Sequence, residues 1–144
     1  MKRQMDRTRR GVVAGALLMT LFAPLGFAQD EKSSAAQGAA RSWLAMVDKM
    51  DVKASYDAAD PKFRSSMTME RWDEAIKKIR APLGPIDRRT VVSTRFTANL
   101  QGFPPGDYAV VVFRSAYALR PIQETVTLDR DSAGTWRVVG YSMT

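Results

Sequence analysis

The spacing of apolar residues changes once along this chain, between residues 83 and 87. Over residues 35–83 apolar side chains recur every three or four positions, which is typical of amphipathic helices. From residue 87 onward they alternate with polar residues or form short runs, which is typical of β-strands. Helices followed by strands, rather than alternating with them, indicate an α+β fold.

Three helical stretches are predicted before this change. The first carries an apolar stripe of Ala36, Ala40, Trp43, Leu44, Val47 and Met50. The second covers residues 52–59, after which Asp60 and Pro61 resemble a helix cap and a first helical proline, with Phe63 as an apolar anchor. The third begins after Thr68 and carries Met69, Trp72, Ile76, Ile79 and Leu83.

Four strands are predicted after it. In the first strand the more apolar face is formed by Thr90, Val92, Thr94, Phe96, Ala98 and Leu100, and the opposite face by Arg89, Ser93, Arg95 and Asn99. The others cover residues 108–119, 124–128 and 136–143, with turns at 101–107 and 129–134. We therefore expect residues 35–144 to form a single domain, in which the N-terminal helices pack on the concave face of a curved, cone-like four-stranded antiparallel meander.

The first 28 residues are predicted to be a secretory signal peptide. Residues 1–10 carry a net charge of +4, an apolar run covers residues 12–23, and Gly26-Phe27-Ala28 fits a small-x-small cleavage site. Cleavage between Ala28 and Gln29 would give a periplasmic or secreted protein with a flexible start at residues 29–34 and no stable membrane anchor. Arg9-Arg10 partly resembles a twin-arginine signal, so the general and twin-arginine routes both stay open.

Removal of this segment changes what the charge implies about partners. The whole chain has a net charge of +7, but residues 29–144 contain 17 basic and 14 acidic residues, with both signs interspersed. No basic helix face and no nucleic-acid motif stand out, so no nucleic-acid partner is expected.

The absence of Cys and His excludes much familiar chemistry. A Ser-His-Asp triad, a cysteine nucleophile, a Cys/His zinc site and a disulfide framework are all ruled out. Asp129 and Asp131 lack the later glutamate of a calcium loop, and turn chemistry explains them. No metal and no cofactor are expected.

Several short segments resemble, in order, the bacterial secreted family called domain of unknown function 4019. They are ARSWL (40–44), YDAA (56–59), FR (63–64), Trp72, RAPLG (80–84), ETVT (124–127) and WRVVGY (136–141). The resemblance implies an exported protein of unassigned activity and carries no catalytic residues across. Its layout is similar to the nuclear transport factor 2-like and cystatin-like superfamily, which contains both enzymes and catalytically silent binding domains.

Glu124 is the first candidate for chemistry. It shares a strand face with Val126 and Leu128, so a charged residue lies at the end of an otherwise apolar face. At a cavity mouth this carboxylate could act as a general base, with Tyr117 or Tyr141 as a phenolic donor. The structural alternative is an ion pair of Glu124 with Arg114 or Arg120 on the neighbouring strand.

Trp43, Trp72 and Phe113 are candidates for a ligand-binding platform, although their apolar neighbours favour core packing. We expect a non-enzymatic domain that binds a small apolar or amphipathic ligand or a protein partner. One alternative is an isomerase- or hydrolase-like enzyme that uses Glu124 and a tyrosine. Another is an envelope assembly module that forms a homodimer through an outer sheet patch of Tyr108, Val110 and Val112.

Overall fold

The computed structural model describes residues 25–144 and comprises four helices followed by a four-stranded sheet. The helices are α1 (Leu25–Asp48), α2 (Val52–Ala58), α3 (Pro61–Ser66) and α4 (Met69–Arg80), and a 3₁₀ turn (Ala81–Leu83) follows α4. The strands are β1 (Ile86–Thr97), β2 (Tyr108–Tyr117), β3 (Pro121–Arg130) and β4 (Trp136–Met143). The predicted α+β class is confirmed, while the basic and apolar parts of the predicted signal peptide lie outside the described residues.

The sheet is an antiparallel meander in which the strands lie in the order β1-β2-β3-β4. Helix α1 crosses one face of the sheet and contacts all four strands. Its buried residues are Ala36, Ala40, Trp43, Leu44 and Val47, and they face Val111, Phe113, Val126 and Leu128 in one hydrophobic core. This burial of apolar area is the main force that holds the helices on the sheet.

Local caps fix where the short helices begin. The Asp51 carboxylate accepts a hydrogen bond from the backbone of Ala54 at the start of α2, and Asp60 accepts one from Lys62 at the start of α3. Thr68 does the same for Arg71 in α4. These side chains satisfy backbone N–H groups that the first helical turn leaves free, as the sequence predicted for Asp60 and Thr68.

Helix α1 differs from the prediction at both ends. The described part of α1 runs from Leu25, so residues 29–34, which were expected to be flexible, are helical; Gln29, Glu31 and Lys32 favour helix there. It ends at Asp48, and Met50 adopts a left-handed backbone conformation (φ 57°) with its side chain 39% exposed. Met50 therefore does not extend the buried stripe. None of the described helices combines the length and the apolar character needed to cross a membrane.

A bulge in β1 overturns the predicted face of that strand. Val91 lies opposite Phe113 and Ser93 opposite Val112, so Val92 has no partner and is exposed. A bulge of one residue shifts the side chains before it to the other face of the strand. Val91 consequently faces the helices together with Phe96, whereas Thr90 and Val92 do not.

Candidate functional site

Four charged side chains meet at the end of the domain where α1, α4, β1 and β3 converge. Asp48 is the last residue of α1, and Arg80 is the last residue of α4. Arg89 lies on β1, and Glu124 lies on β3. We call these four residues the charge cluster.

The guanidinium of Arg89 donates hydrogen bonds to both acidic residues of the cluster. Its terminal nitrogens each donate to one oxygen of Asp48, at 2.9 Å in both cases. Its Nε donates to Oε1 of Glu124 at 2.9 Å. This two-pronged pairing uses the planar fork of the guanidinium, a geometry that lysine cannot reproduce.

Arg80 closes the cluster from the opposite side. One terminal nitrogen donates to Oδ1 of Asp48 at 2.6 Å, and the other donates to Oε2 of Glu124 at 3.2 Å. Its Nε donates to the Tyr141 hydroxyl at 3.2 Å, and that hydroxyl donates in turn to Oε2 of Glu124. The Arg80 guanidinium lies 5.2 Å from the centre of the Tyr117 ring and 5.8 Å from that of Tyr141, within the range of cation–π attraction.

The cluster is buried and electrically balanced. The Glu124 side chain is fully buried, and the exposed fractions are 6% for Arg80, 10% for Arg89 and 17% for Asp48. Two carboxylates and two guanidinium groups cancel, so the interior carries no net charge from these residues. Complete pairing of this kind is what makes buried ions tolerable, because desolvation of an unpaired ion costs several kcal/mol.

The protonation states follow from these contacts. Burial alone would raise the pKa of Asp48, but hydrogen bonds from Arg89 and Arg80 outweigh it and hold that pKa below its ordinary value. Burial raises the pKa of Tyr141 and Tyr117, and the charge of Glu124 raises both further. Both phenols therefore keep their protons at neutral pH, and Tyr141 acts as a hydrogen-bond donor.

The structure brings together the three residues that were predicted as candidates for chemistry. Glu124 contacts Tyr141 directly, and Tyr117 accepts a 3.4 Å hydrogen bond from Arg89. The predicted partners of Glu124 are wrong, however. Arg114 lies opposite Gln123 and is exposed, and Arg120 is exposed in the β2–β3 turn. The Arg114 side chain lies on the sheet face opposite the one on which Glu124 is buried, and Arg120 lies beyond the end of β2.

Trp43 and Trp72 form an aromatic cluster with Phe63 and Tyr141 beside the charge cluster. The ring centres of Trp43 and Trp72 are 5.5 Å apart, and Phe63 stands perpendicular to Trp72 at 5.2 Å. Trp72 Nε1 donates to the Ser55 hydroxyl at 2.9 Å, and Trp43 Nε1 donates to the Ser55 carbonyl at 2.8 Å.

Both indoles are at most 3% exposed, and Phe113 is fully buried, with the Arg41 guanidinium 5.3 Å from its ring centre. The rings of Trp43, Trp72 and Phe113 thus pack against protein atoms and present no free face for a ligand to stack on.

The model of a protein family described as "Protein of unknown function (DUF4019)" matches residues 39–141 of this chain. That span runs from the middle of α1 into β4 and contains the charge cluster and the aromatic cluster. The chain belongs to this family. No curated protein and no solved structure matched it in the corresponding comparisons.

Sequence reasoning missed three residues of the charge cluster, Asp48, Arg80 and Arg89, which all lie within the DUF4019 span. Arg80 continues the four-residue spacing of Trp72 and Ile76, so it lies on the buried face of α4. This spacing was a usable signal, but the charge of Arg80 suggested a surface position near the helix C-terminus instead. Arg89 carried no comparable signal, because the bulge in β1 determines which way it points.

Surface clefts lie around this DUF4019 domain. One, of about 670 Å³, opens between α3 and the β1–β2 loop and is lined by both acidic and basic side chains, Asp60, Lys62, Asp129 and Arg137 among them. Another of about 290 Å³ reaches the edge of the charge cluster at Asp48 and Arg80. A third, also of about 290 Å³, lies between α4 and the ends of β3 and β4. Within residues 25–144, no group of three acidic side chains is placed to hold a metal ion.

Proposed function

We propose that this DUF4019 protein is an exported, non-enzymatic binding domain. The observation that carries the proposal is that both carboxylate oxygens of Glu124 already accept hydrogen bonds from within the protein. Its Oε1 accepts from Arg89, and its Oε2 accepts from both Arg80 and Tyr141. A general base needs a free lone pair directed at the substrate, and every short contact of this carboxylate is already made within the protein.

The surroundings of Glu124 support the same conclusion. Its side chain is fully buried beneath two arginines that pair with Asp48 at the same time. A substrate would have to displace these ion pairs in order to reach it, leaving buried charges without partners. The charge cluster is better suited to joining α1 and α4 to the sheet than to turnover.

Binding is therefore assigned to the surface of the domain. The space between helices and sheet is filled by the aromatic cluster and the aliphatic core, so an enclosed apolar cavity is not part of the proposal. The clefts on the outside have volumes near or above the low end for small-ligand sites, about 300 Å³. These clefts are the places for a small amphipathic ligand or a segment of a protein partner.

The enzyme alternative depends on one contact, the hydrogen bond from Tyr141 to Glu124. An acid paired with a phenol occurs in isomerase-like sites. Glu124 and Tyr141 do not themselves line the cleft beside the charge cluster; only their neighbours Asp48 and Arg80 do. Turnover that disappears in Glu124→Gln, while the variant keeps the wild-type fold, would favour this alternative.

The assembly alternative depends on the sheet face that α1 leaves uncovered. Val110 and Val112 lie half-buried there, but Tyr108 does not join them, because its ring is buried and its hydroxyl donates to the Pro104 carbonyl. The apolar patch is thus smaller than expected. A dimer in light scattering of the purified protein at high concentration would favour this alternative over a monomeric binding domain.

The proposal includes export and cleavage after Ala28. Residues 26–31 are all exposed, and Lys32 forms an ion pair with Asp107 at 2.7 Å. Of the residues that cleavage would remove, residues 26–28 have described side chains, and all three are exposed. N-terminal sequencing of the exported protein should begin at Gln29, and a product that begins at Met1 would contradict the proposal.

We also place the fold with the nuclear transport factor 2-like and cystatin-like superfamily. Helices followed by a four-stranded antiparallel meander, with α1 across one sheet face, support this placement. Because that fold hosts enzymes as well as binding domains, the placement does not determine the activity.

Native mass spectrometry tests the binding function directly. The full chain is exported by a bacterial host, purified without detergent, and measured beside a Glu124→Gln variant. We expect an adduct that denaturation removes, and its retention by a folded variant would separate binding from Glu124. Bare protein in every preparation, with no small-molecule or protein adduct, would contradict a binding function.

A further inference from the structure

The cleft between α4 and the ends of β3 and β4 combines an apolar floor with a basic rim. Its floor includes Ile79 and Leu83 from the helical side, and Ile122 and Met143 from the two strands. Leu83 is 1% exposed and Ile122 8% exposed, and both belong to a small hydrophobic cluster separate from the main core. The cleft is therefore an apolar surface built by four separate segments.

Two cations stand at the rim of this cleft. Lys78 and Arg120 both line it, and both are exposed. Among the contacts of residues 25–144 neither side chain forms an ion pair, whereas the adjacent Lys77 pairs with Asp73 at 2.7 Å. Thr144 also lines the cleft, and among the described residues no acid is bound to either of the two cations at the rim.

The rim is held in place by the β2–β3 turn, which carries Arg120. Leu119 donates a backbone hydrogen bond to Leu83 at 3.1 Å, and Ala118 donates one to Pro85 at 3.0 Å. This close approach depends on Gly84, which has a φ of 70° and where a Cβ would lie 3.1 Å from the Cβ of Ala118. The backbone that carries Arg120 is therefore fixed before any ligand arrives, which lowers the entropic cost of binding.

We propose that this cleft binds a single-chain anionic amphiphile, namely a free short-chain carboxylate. The hydrocarbon chain would cover the floor of Ile79, Leu83, Ile122 and Met143, while the carboxylate would lie between Lys78 and Arg120. Burial of apolar area favours the contact of the hydrocarbon chain with the floor. The guanidinium of Arg120 is well matched to the carboxylate of the ligand. The volume of about 290 Å³ suits a short chain. The inference rests on the proposed binding function and names its ligand class.

Titration of the full chain with sodium octanoate, followed by amide NMR, tests the inference. We expect the shift changes to centre on Leu83, Ile122 and Met143, and acetate, which lacks the chain, to cause none of them. Octanol, which lacks the charge, should bind more weakly. Shifts that centre on another cleft, or an equal response to acetate, would overturn the proposed site.

Two variants separate the rim charges from general surface charge. The double variant Lys78→Ala/Arg120→Ala should weaken octanoate binding by roughly threefold to tenfold, as expected for two exposed ion pairs. The matched control Lys77→Ala/Arg114→Ala removes the same charges outside the cleft and should leave the affinity unchanged. Equal affinity of the double variant and the wild type would overturn the role of the rim.

The source of the ligand is tested with phosphatidylglycerol vesicles. Free octanoate should bind in their absence, and the protein should not sediment with them. Cosedimentation that Lys78→Ala/Arg120→Ala abolishes would overturn the free carboxylate in favour of a membrane surface. Failure of octanoate to bind, with an adduct still present in native mass spectrometry, would reject this ligand class while leaving the binding function intact.

Discussion

Arg89 of β1 holds both carboxylate oxygens of Asp48, the last residue of α1, at 2.9 Å each. This pair joins the end of the longest helix to an edge strand of the sheet. Arg80 shares the same carboxylate and so brings the end of α4 to the same point.

Replacement of Asp48 should destabilise the domain strongly. Asp48→Asn leaves two buried guanidinium groups facing only Glu124, and loss of one partner in a buried network costs about 3 kcal/mol. Urea unfolding followed by circular dichroism measures the free energy of unfolding. The control Asp73→Asn breaks the exposed pair with Lys77, and its effect should stay below about 1 kcal/mol. Equal effects of the two variants would show that the charge cluster is not a special source of stability.

Stability should fall in acid because of the same residue. The pKa of Asp48 is lower in the folded protein than the ordinary value of an aspartate, so the unfolded chain takes up the proton first as the pH decreases. The contribution of Asp48 is complete above about pH 5 and is lost as the pH falls through the folded-state pKa. The free energy of unfolding of Asp48→Asn should consequently depend less on pH below 5 than that of the wild type. Parallel acid curves for the two proteins would refute this assignment.

Stability should also fall in alkali, through the tyrosines. The pKa values of Tyr117 and Tyr141 are raised in the folded state, so above pH 10 the unfolded chain loses protons that the folded protein keeps. Titration of tyrosinate absorbance should show a late phase that coincides with unfolding. Tyr141→Phe should remove part of this phase, because its ring can stay packed without a hydroxyl. An unchanged late phase in this variant would assign it to other tyrosines.

Ser55 should matter to the aromatic cluster more than its size suggests. Ser55→Ala removes the acceptor of the Trp72 Nε1 hydrogen bond but keeps the backbone carbonyl that serves Trp43. A buried donor left without a partner costs about 1–3 kcal/mol. Ser65→Ala is the control, since the Ser65 hydroxyl is exposed and only contacts its own helix. Urea unfolding monitored by tryptophan fluorescence should separate the two variants, and comparable midpoints would argue against the prediction.

Gly84 and Gly102 allow backbone strain and steric clash to be separated. Both have a positive φ, and a side chain there costs about 1–2 kcal/mol in either case. Gly102→Ala meets nothing within 4 Å, whereas Gly84→Ala places a Cβ 3.1 Å from that of Ala118. Thermal unfolding should therefore show the larger loss for Gly84→Ala. A larger loss for Gly102→Ala would mean that the contact between the β2–β3 turn and the 3₁₀ turn adapts easily.

A feature of this fold can be predicted from the sequence when it depends on residues that are close together in the chain. The change of apolar spacing predicted the element order and the α+β class, because amphipathic periodicity is a local property. Glu124 could be singled out because it is a charge on an otherwise apolar strand face. Its partners could not be identified in the same way, since pairing across the fold depends on where α4 and β1 lie relative to β3.

β1 marks the clearest limit of such reasoning. Strict alternation placed Val92 on the inner face and Arg89 on the outer one, and the bulge between Val91 and Ser93 reverses both. The position of the bulge depends on pairing with the neighbouring strand, and no local property of the residues in β1 predicts it. As a result, the sequence did not predict that Arg89 bridges Asp48 and Glu124.

The charge cluster also sets an order for biosynthesis. Its residues are spread over residues 48–124, and Tyr141, which donates to Glu124, lies on β4. A ribosome releases Asp48 first, so its carboxylate stays hydrated until Arg80 and Arg89 have followed, and Glu124 completes its contacts only after β4 has emerged. The chain therefore spends most of its synthesis without its final ion pairs, and the charge cluster can close only after nearly the whole domain has been synthesised.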